Sequence, residues 1–471
     1  VFSDSFIDGD FYSTSQRFSV DNPATAEAIT QVSNIDEAGV ELAIKSADEA
    51  FSKLKQTTAT ERSETLRRWY DLVIEHKQQL AELMTKEQGK PLKESLGEVE
   101  YGAGFIKWFS EEAKRSYGDT IPATDSKHRL TTIKQPIGVV AGITPWNFPI
   151  AMITRKVAPA YAAGCSFVIK PSEHTPLCAI ALAYLADKAG FVKGALNVVV
   201  SENAKMVGEI MTESERVRKF TFTGSTGVGK QLLSQCASTI KQTSMELGGN
   251  APFIIFENAD LDEAVAGLMG AKFRNAGQTC VAANRIFVQR SVLETVLEKL
   301  TDKVAELKVG NGLDDGVDIG PLIYPKAKEK VQTLVQDAVD KGASLIGDNS
   351  ELEGSFQAPL ILTDVTPEMD IYHDEVFGPV VSIITFDDEQ EVLQLANDVP
   401  YGLAAYFYSE NIKQVYRVSE ALEYGMIGIN EGLISNPVAP FGGVKQSGLG
   451  REGGHQGLDE YLEEKYLCVK I

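Results

Sequence analysis

Between Asp36 and Gln88, apolar residues recur at three- and four-residue steps, as in Leu66, Trp69, Tyr70, Val73 and Ile74, with polar residues between them. That spacing lays one apolar stripe along a helix, and Gly89 with Pro91 marks where the helical stretch stops. Downstream the pattern changes to short apolar runs. Ile137–Ile143, Phe167–Ile169, Leu196–Val200 and Phe220–Thr223 read as buried strands, with helical segments between several of them. Such alternation predicts a parallel α/β sheet. A second series follows Gly248-Gly249. It has strands at Pro252–Phe256 and Ile286–Val288 and helices at Asp260–Phe273 and Ser291–Leu307, the latter opened by the capping box Ser291-x-x-Glu294. Further strands are expected at Val380–Phe386, Leu403–Tyr408 and Met426–Ile429, and an extended arm bearing Tyr461 and Tyr466 after Gly453. The fold class is therefore α/β with two parallel-sheet domains meeting near Gly248–Asn250.

A chain of 471 residues is too long for one ordinary core, which agrees with that division. Lys and Arg number 45 against 66 Asp and Glu, a net charge of −21 that repels phosphate backbones and speaks against a nucleic-acid partner. The stretch Gln135–Thr154 carries no charge and is long enough to raise the membrane question. Pro136, Pro145 and Pro149 interrupt it, so it reads as a buried strand and a turn, and no membrane partner is expected. The five cysteines, Cys165, Cys178, Cys236, Cys280 and Cys468, show no CxxC or short pairing. A disulfide framework and a metal site are both disfavoured, and a reducing compartment fits. The cytoplasm is expected, with the mitochondrial matrix the alternative if a presequence preceded Val1.

Two glycine motifs need weighing. Gly224-Ser225-Thr226-Gly227-Val228-Gly229-Lys230 fits the first seven positions of a P-loop, but Gln231 stands where a magnesium-binding hydroxyl belongs. What survives is a glycine-rich turn between a strand and a helix, which offers N–H groups to a pyrophosphate. Gly448-Leu449-Gly450-Arg451-Glu452-Gly453 spells GxGxxG, but it follows no buried strand and opens no βαβ unit. It reads as a flexible loop.

Cys280 lies in Gly277-Gln278-Thr279-Cys280-Val281, a polar, glycine-bearing loop that suits a nucleophile rather than a packed thiol. None of His76, His128, His174, His373 and His455 sits in a supporting pattern for a base. Glu246, in Met245-Glu246-Leu247-Gly248-Gly249-Asn250, ends a strand-like segment among apolar residues, where desolvation raises a carboxyl towards the range of a general base. A solvated or helix-capping carboxylate is the plainer alternative. Asn147 lies in Thr144-Pro145-Trp146-Asn147-Phe148-Pro149, a turn locked by two prolines at a strand end, where its amide can hold an oxyanion.

Seven segments then line up. Pro145-Trp146-Asn147-Phe148-Pro149, Lys170-Pro171-Ser172-Glu173, Phe222-Thr223-Gly224-Ser225, Glu246-Leu247-Gly248-Gly249, Gly277-Gln278-Thr279-Cys280, Glu375-Val376-Phe377-Gly378-Pro379 and Pro440-Phe441-Gly442-Gly443 resemble, in order, the motifs of the aldehyde dehydrogenase superfamily. The resemblance covers roughly Val20 to Ile471. It implies two Rossmann-like domains with a small oligomerisation element: residues 1–116 and 136–248 bind NAD, 249–445 are catalytic, and 117–135 with 446–471 assemble a homodimer or homotetramer. It also implies roles. Cys280 attacks the aldehyde, Asn147 and the Cys280 N–H hold the oxyanion, and Glu246 activates the water that hydrolyses the thioester. Trp146, Lys170, Ser172, Glu173, Gly224, Ser225, Glu375 and Phe377 match cofactor-binding positions.

Glu173 follows Lys170 by three and can accept hydrogen bonds from adenosine-ribose hydroxyls while repelling a 2′-phosphate, so NAD is expected over NADP, with Lys170 leaving room for NADP. Met152–Lys156, Lys272–Gly277, Asn430–Ser435, Ala439–Gly453 and Asp459–Glu463 resemble the succinate-semialdehyde dehydrogenase branch. That resemblance makes Arg155, Arg274 and Ser435 the clamp for a distal carboxylate, and the substrate a small carboxy-aldehyde. Either arginine can instead pair with a surface glutamate. Some members of the branch carry a second cysteine two residues after the nucleophile; here Ala282 stands there. The rival readings are glutarate semialdehyde as substrate, a CoA-acylating enzyme, and a structural or binding member without activity.

Overall fold

The computed structural model describes residues 2–347 and 352–471. The apolar runs between 137 and 223 form the centre of an eight-stranded sheet. Its order is Asp10–Tyr12, Ser5–Ile7, Leu196–Val198, Ser166–Lys170, Val139–Ile143, Val217–Thr223, Gln242–Glu246 and Gly448–Leu449. The five strands from Leu196–Val198 to Gln242–Glu246 run parallel, and antiparallel strands close both edges. From Val139–Ile143 the chain steps outward through two strands, then returns to the other side of it. Such a reversal leaves a crevice beyond the carboxyl ends of the strands on either side of it. Ile143 pairs with Lys170 and Phe222, and Thr223 pairs with Glu246, so the Thr144–Pro149 turn, Gly224 and Glu246 all emerge at that end.

The second series builds a seven-stranded sheet, ordered Ser344–Ile346, Leu360–Thr363, Val380–Phe386, Ala283–Gln289, Ala251–Ile255, Ala404–Tyr408 and Met426–Ile429. All its pairings are parallel except that of Ser344–Ile346. Phe253, Ile286, Phe287, Ile383 and Phe407 fill its core, whereas Trp69, Phe105, Phe109, Phe167 and Ile169 belong to that of the first sheet. The helical opening resolves into Glu37–Leu54, Ala59–Glu75 and Lys77–Gln88, with the Asp36 carboxylate capping the first and Gly89, at φ +97°, ending the third. Helix Leu92–Glu112 follows and packs on Ala151–Ala163.

The arm is a strand. Leu462–Lys470 pairs antiparallel with His128–Pro136 along its whole length, and Thr120–Ile121 completes a three-stranded sheet that leaves Tyr466, Val469 and Ile471 exposed. Two local expectations are corrected. The helix after Arg290 starts at Leu293, so there is no capping box; the Ser291 hydroxyl instead donates to Glu257 Oε2 at 2.8 Å. Gly448-Leu449 is no flexible loop, because it pairs with Met245 and Glu246 at the sheet edge. Gly448 has φ +139°, and a Cβ there would lie 1.8 Å from the Met245 carbonyl oxygen, so only glycine lets the two backbones meet. Among the described residues no helix is long and apolar enough to cross a membrane, and no cluster of His, Cys, Asp or Glu could hold a metal ion.

Candidate active site

The crevice is a cleft of about 690 Å³. Asn147, Glu246 and Cys280 all line it, together with Trp146, Gly224, Ser225, Glu375 and Phe377. Five of these, Trp146, Asn147, Gly224, Ser225 and Glu246, come from the ends of three strands in the first sheet. Cys280 arrives on the loop after helix Leu261–Phe273, and Glu375 and Phe377 precede the strand Val380–Phe386.

Cys280 is half-buried, and burial pushes its thiol up to about 12; Arg155 opposes the rise, while Glu375 and Glu246 add to it. The thiol is thus protonated near neutral pH and needs a base. Glu246 is buried, and burial first, then the nearby Glu452 carboxylate, hold it well above the ordinary carboxylate range against Arg155 and Lys156. Its Oε2 has no hydrogen-bond partner. Asn147 donates its side-chain amide to the Gln278 carbonyl at 3.1 Å, which fixes the amide plane and leaves one amide hydrogen uncommitted. The Cys280 backbone N–H has no acceptor among the described residues. Gly249 allows this crowding, since a Cβ there would sit 2.7 Å from the Cys280 carbonyl oxygen.

The turn Gly224-Ser225, which lines the cleft, opens helix Thr226–Cys236, and Ser225 supplies no side-chain cap to the first N–H groups of that helix. The Thr223 hydroxyl is buried without a partner, and a Cβ on Gly227 would meet open space. Trp146 meets the ring of Phe377 edge-on at 5.7 Å. Burial lifts the Glu375 carboxyl to about 7, opposed by Lys330, the Gly249 N–H and Lys272. An anion-binding helix end with a carboxyl beyond it is the donor set a dinucleotide requires, and these residues fit one.

Lys170, Ser172 and Glu173 lie outside that lining. Glu173 faces a neighbouring cavity of about 580 Å³, which shares Tyr324 with the cleft. Lys170 is buried and sits 3.3 Å from Glu173 Oε2. Burial works against ionising Glu173, but Lys170 and its own backbone N–H outweigh it and hold the carboxyl below its usual range. The Ser172 hydroxyl accepts from the His174 N–H within a turn.

Arg155, Arg274 and Ser435 form a separate group behind Cys280. Arg155 is fully buried, ion-paired with Glu452 and stacked on Phe441 with its Cζ 4.5 Å from the ring centroid. Glu452 also pairs with Lys156. Arg274 has no carboxylate within ion-pair distance among the described residues and rests 5.3 Å from the Phe148 ring centroid. Tyr101 joins this group: burial raises its phenol, while Arg155 and Arg274 first and then the Ser435 hydroxyl oppose the rise. Neither Tyr101 nor Glu452 was anticipated. Glu94, Glu98, Tyr101 and Phe105 share one face of helix Leu92–Glu112 at four-, three- and four-residue steps, and that spacing was the available signal.

The chain matches the model of the aldehyde dehydrogenase family over residues 11–467. It is 54% identical to the mitochondrial succinate-semialdehyde dehydrogenase of Arabidopsis thaliana, covering 96% of this chain and 85% of that protein. Against a 3-sulfolactaldehyde dehydrogenase of Pseudomonas putida it is 53% identical (98% and 96% covered), and against a glutarate-semialdehyde dehydrogenase of Pseudomonas putida it is again 53% identical (97% and 95%). The crystal structure of an aldehyde dehydrogenase from Brucella melitensis biovar abortus superposes with a TM-score of 0.98 at 55% identity, over 99% of this chain and 97% of that one. That of an NADP-dependent enzyme of E. coli gives 0.98 at 50%, over 100% and 98%. A family model spanning nearly the whole chain, a shared α/β architecture and relatives half or more identical agree on one conclusion: this chain belongs to the aldehyde dehydrogenase family.

Proposed function

We propose that this aldehyde dehydrogenase oxidises succinate semialdehyde to succinate, with NAD preferred over NADP. The observation that carries the substrate reading is the unpaired guanidinium of Arg274, set with Tyr101 and Ser435 behind the half-buried Cys280. A carboxylate one short chain away from an aldehyde spans from such a guanidinium to a thiol, and a charge-assisted hydrogen bond holds it there.

Glu246 takes the Cys280 proton as the sulfur attacks the carbonyl carbon. The C=O π pair moves to oxygen, where the uncommitted Asn147 amide hydrogen and the Cys280 N–H receive it. When bound, the nicotinamide dinucleotide supplies the hydride acceptor that takes the Cys280 adduct to the thioester level. Glu246 gives that first proton up to solvent and then removes one from water. The water oxygen bonds to the acyl carbon, the C–S bond breaks with its electron pair on sulfur, and the proton passes from Glu246 to the thiolate, releasing the acid and restoring the cysteine. Glu246 favours water over CoA as the acyl acceptor. The ionised Glu173 beside Lys170 supports NAD, because it repels a 2′-phosphate. Trp146, Gly224, Ser225, Glu375 and Phe377 are assigned to the cofactor, and residues 1–116 with 136–248 to its domain, residues 249–445 being the catalytic one. The exposed sheet made by 117–135 and the C-terminal arm suits a homodimer or homotetramer. The cytoplasm or the mitochondrial matrix both accommodate this chemistry.

A second reading, glutarate semialdehyde or another aldehyde with an anionic tail, is favoured by the names of two of the relatives, and one methylene is worth only about 1–3 kcal/mol. A kcat/KM panel of succinate semialdehyde, glutarate semialdehyde and 3-sulfolactaldehyde, each with NAD and NADP, tests the proposal. Succinate semialdehyde with NAD should lead. A higher value for either competitor aldehyde would replace the substrate, and a higher value with NADP would reverse the cofactor.

A further inference from the structure

We propose that Lys90 and Glu98 are positioning residues that hold the Asn147 amide in register with Cys280; the inference rests on the reading of Asn147 as a donor to the substrate oxygen. Lys90 follows the Gly89 stop of helix Lys77–Gln88, and Glu98 lies on helix Leu92–Glu112. Their side chains are 1% and 2% exposed. Lys90 Nζ donates to Glu98 Oε2 at 2.5 Å and to the Asn147 carbonyl at 2.7 Å, and it lies 4.0 Å from the centroid of the Phe148 ring. The other carboxylate oxygen, Glu98 Oε1, accepts from the Ile150 and Ala151 N–H groups at 3.0 and 3.3 Å. The pair therefore grips the Pro145–Pro149 turn on both sides of Phe148, at the oxyanion residue and at the start of helix Ala151–Ala163.

The same cluster reaches the nucleophile loop. Asn275 donates to the Asn147 carbonyl at 3.0 Å, and Gln88 donates to Asn275 Oδ1 at 3.0 Å while accepting from the Lys90 N–H at 3.0 Å. Asn275 and Ala276 both hold positive φ, +52° and +54°, which non-glycine residues keep only when their surroundings impose it. The Asn275 N–H donates to Glu94 Oε2 at 2.8 Å, so helix Leu92–Glu112 fixes this strained turn too. A buried ion pair of this kind contributes little to stability compared with apolar residues of the same volume, and its value lies in the geometry it imposes. Here that geometry is the spacing between the Asn147 amide and the loop that carries Cys280.

The test is a double-mutant cycle of Asn147→Ala with the pair change Lys90→Met/Glu98→Gln. The pair change removes both charges and keeps a side-chain oxygen for Ile150 and Ala151, whereas Lys90→Met alone strands a buried carboxylate and is expected to fold poorly. Three readouts are taken: steady-state oxidation of succinate semialdehyde, alkylation of Cys280 by iodoacetamide, and thermal unfolding. Alkylation needs the thiolate but creates no oxyanion, so a positioning role for Asn147 leaves it alone. The pair change should lower kcat by about 30-fold or more with KM within about threefold, and change the alkylation rate by less than about threefold. Added to Asn147→Ala, it should lower kcat by less than about threefold, because the group it positions is already gone. Retained kcat, multiplicative losses in the cycle, or alkylation falling in parallel with kcat would overturn the proposal. Full kcat in Asn147→Ala itself would remove the oxyanion reading beneath it, a result distinct from all of these.

Discussion

Arg155 is ion-paired with Glu452 and both are buried, whereas Arg274, from the loop that carries Cys280, has no carboxylate partner among the described residues. The two arginines read as one clamp in the sequence thus differ in what they can offer a substrate. Arg274→Ala is expected to raise KM about 100-fold for succinate semialdehyde, the loss of a charge-assisted hydrogen bond, while sparing uncharged aldehydes. Arg155→Met should instead act on stability first, by about 3–5 kcal/mol in denaturant unfolding, since it leaves Glu452 with only Lys156. Equal KM effects on charged and uncharged aldehydes would remove Arg274 from the clamp.

Glu246 sets an ascending limb in the pH profile. Burial and Glu452 raise its carboxyl, so it stays protonated through the pH range where an ordinary glutamate has ionised. Only the ionised form is a base, and kcat should therefore climb with pH as that proton is lost and fall away on acidification. The same raised value favours the folded state below the ordinary glutamate range, a contribution that disappears as pH rises through the raised pKa. Glu246→Gln should abolish the kcat limb and lower kcat by about 100-fold or more. Rapid-mixing absorbance of reduced nicotinamide across pH separates this step from hydride transfer.

Tyr101→Phe removes a phenol that feels both arginines and the Ser435 hydroxyl. One neutral hydrogen bond is at stake, so KM for carboxylated aldehydes should rise about five- to tenfold with kcat little changed. A change confined to kcat would place Tyr101 elsewhere in the mechanism.

Glu173→Ser should raise the ratio of kcat/KM with NADP to that with NAD by about tenfold, a modest figure because the carboxylate is partly exposed and screened. Lys170, freed from its partner, then faces the 2′-phosphate. Parallel titrations with both nucleotides read the change directly, and an unaltered ratio would mean that Glu173 does not meet the ribose.

What the sequence made legible is what the chain encodes locally. Cys280, Glu246 and Asn147 each sit in a short glycine- or proline-bearing segment at a strand end or loop, and the sheet order gathers those ends into one cleft. The partners that tune them come from far along the chain. Glu452 reaches Arg155 and Lys156 from a segment whose glycines suggested a loose loop, yet Gly448 ties that segment to Glu246 by strand pairing. Glu98 and Tyr101 share one face of helix Leu92–Glu112, beyond the Gly89–Pro91 stop where the helical reading ended, and their spacing groups them without saying that this face, with Lys90 before it, meets the Asn147 turn and the arginines. Ser291 misled in the opposite way, because its hydroxyl found Glu257 rather than the helix it precedes.

The central claim is that the acyl group passes through Cys280. The direct measurement is peptide mass spectrometry of the unmodified enzyme, acid-quenched within the first turnover with succinate semialdehyde and NAD, before the thioester is hydrolysed. The account predicts a succinyl group on the peptide containing Cys280 and none on those containing Cys165, Cys178, Cys236 or Cys468. Reduced nicotinamide formed without that adduct, or an adduct on another cysteine, would contradict it.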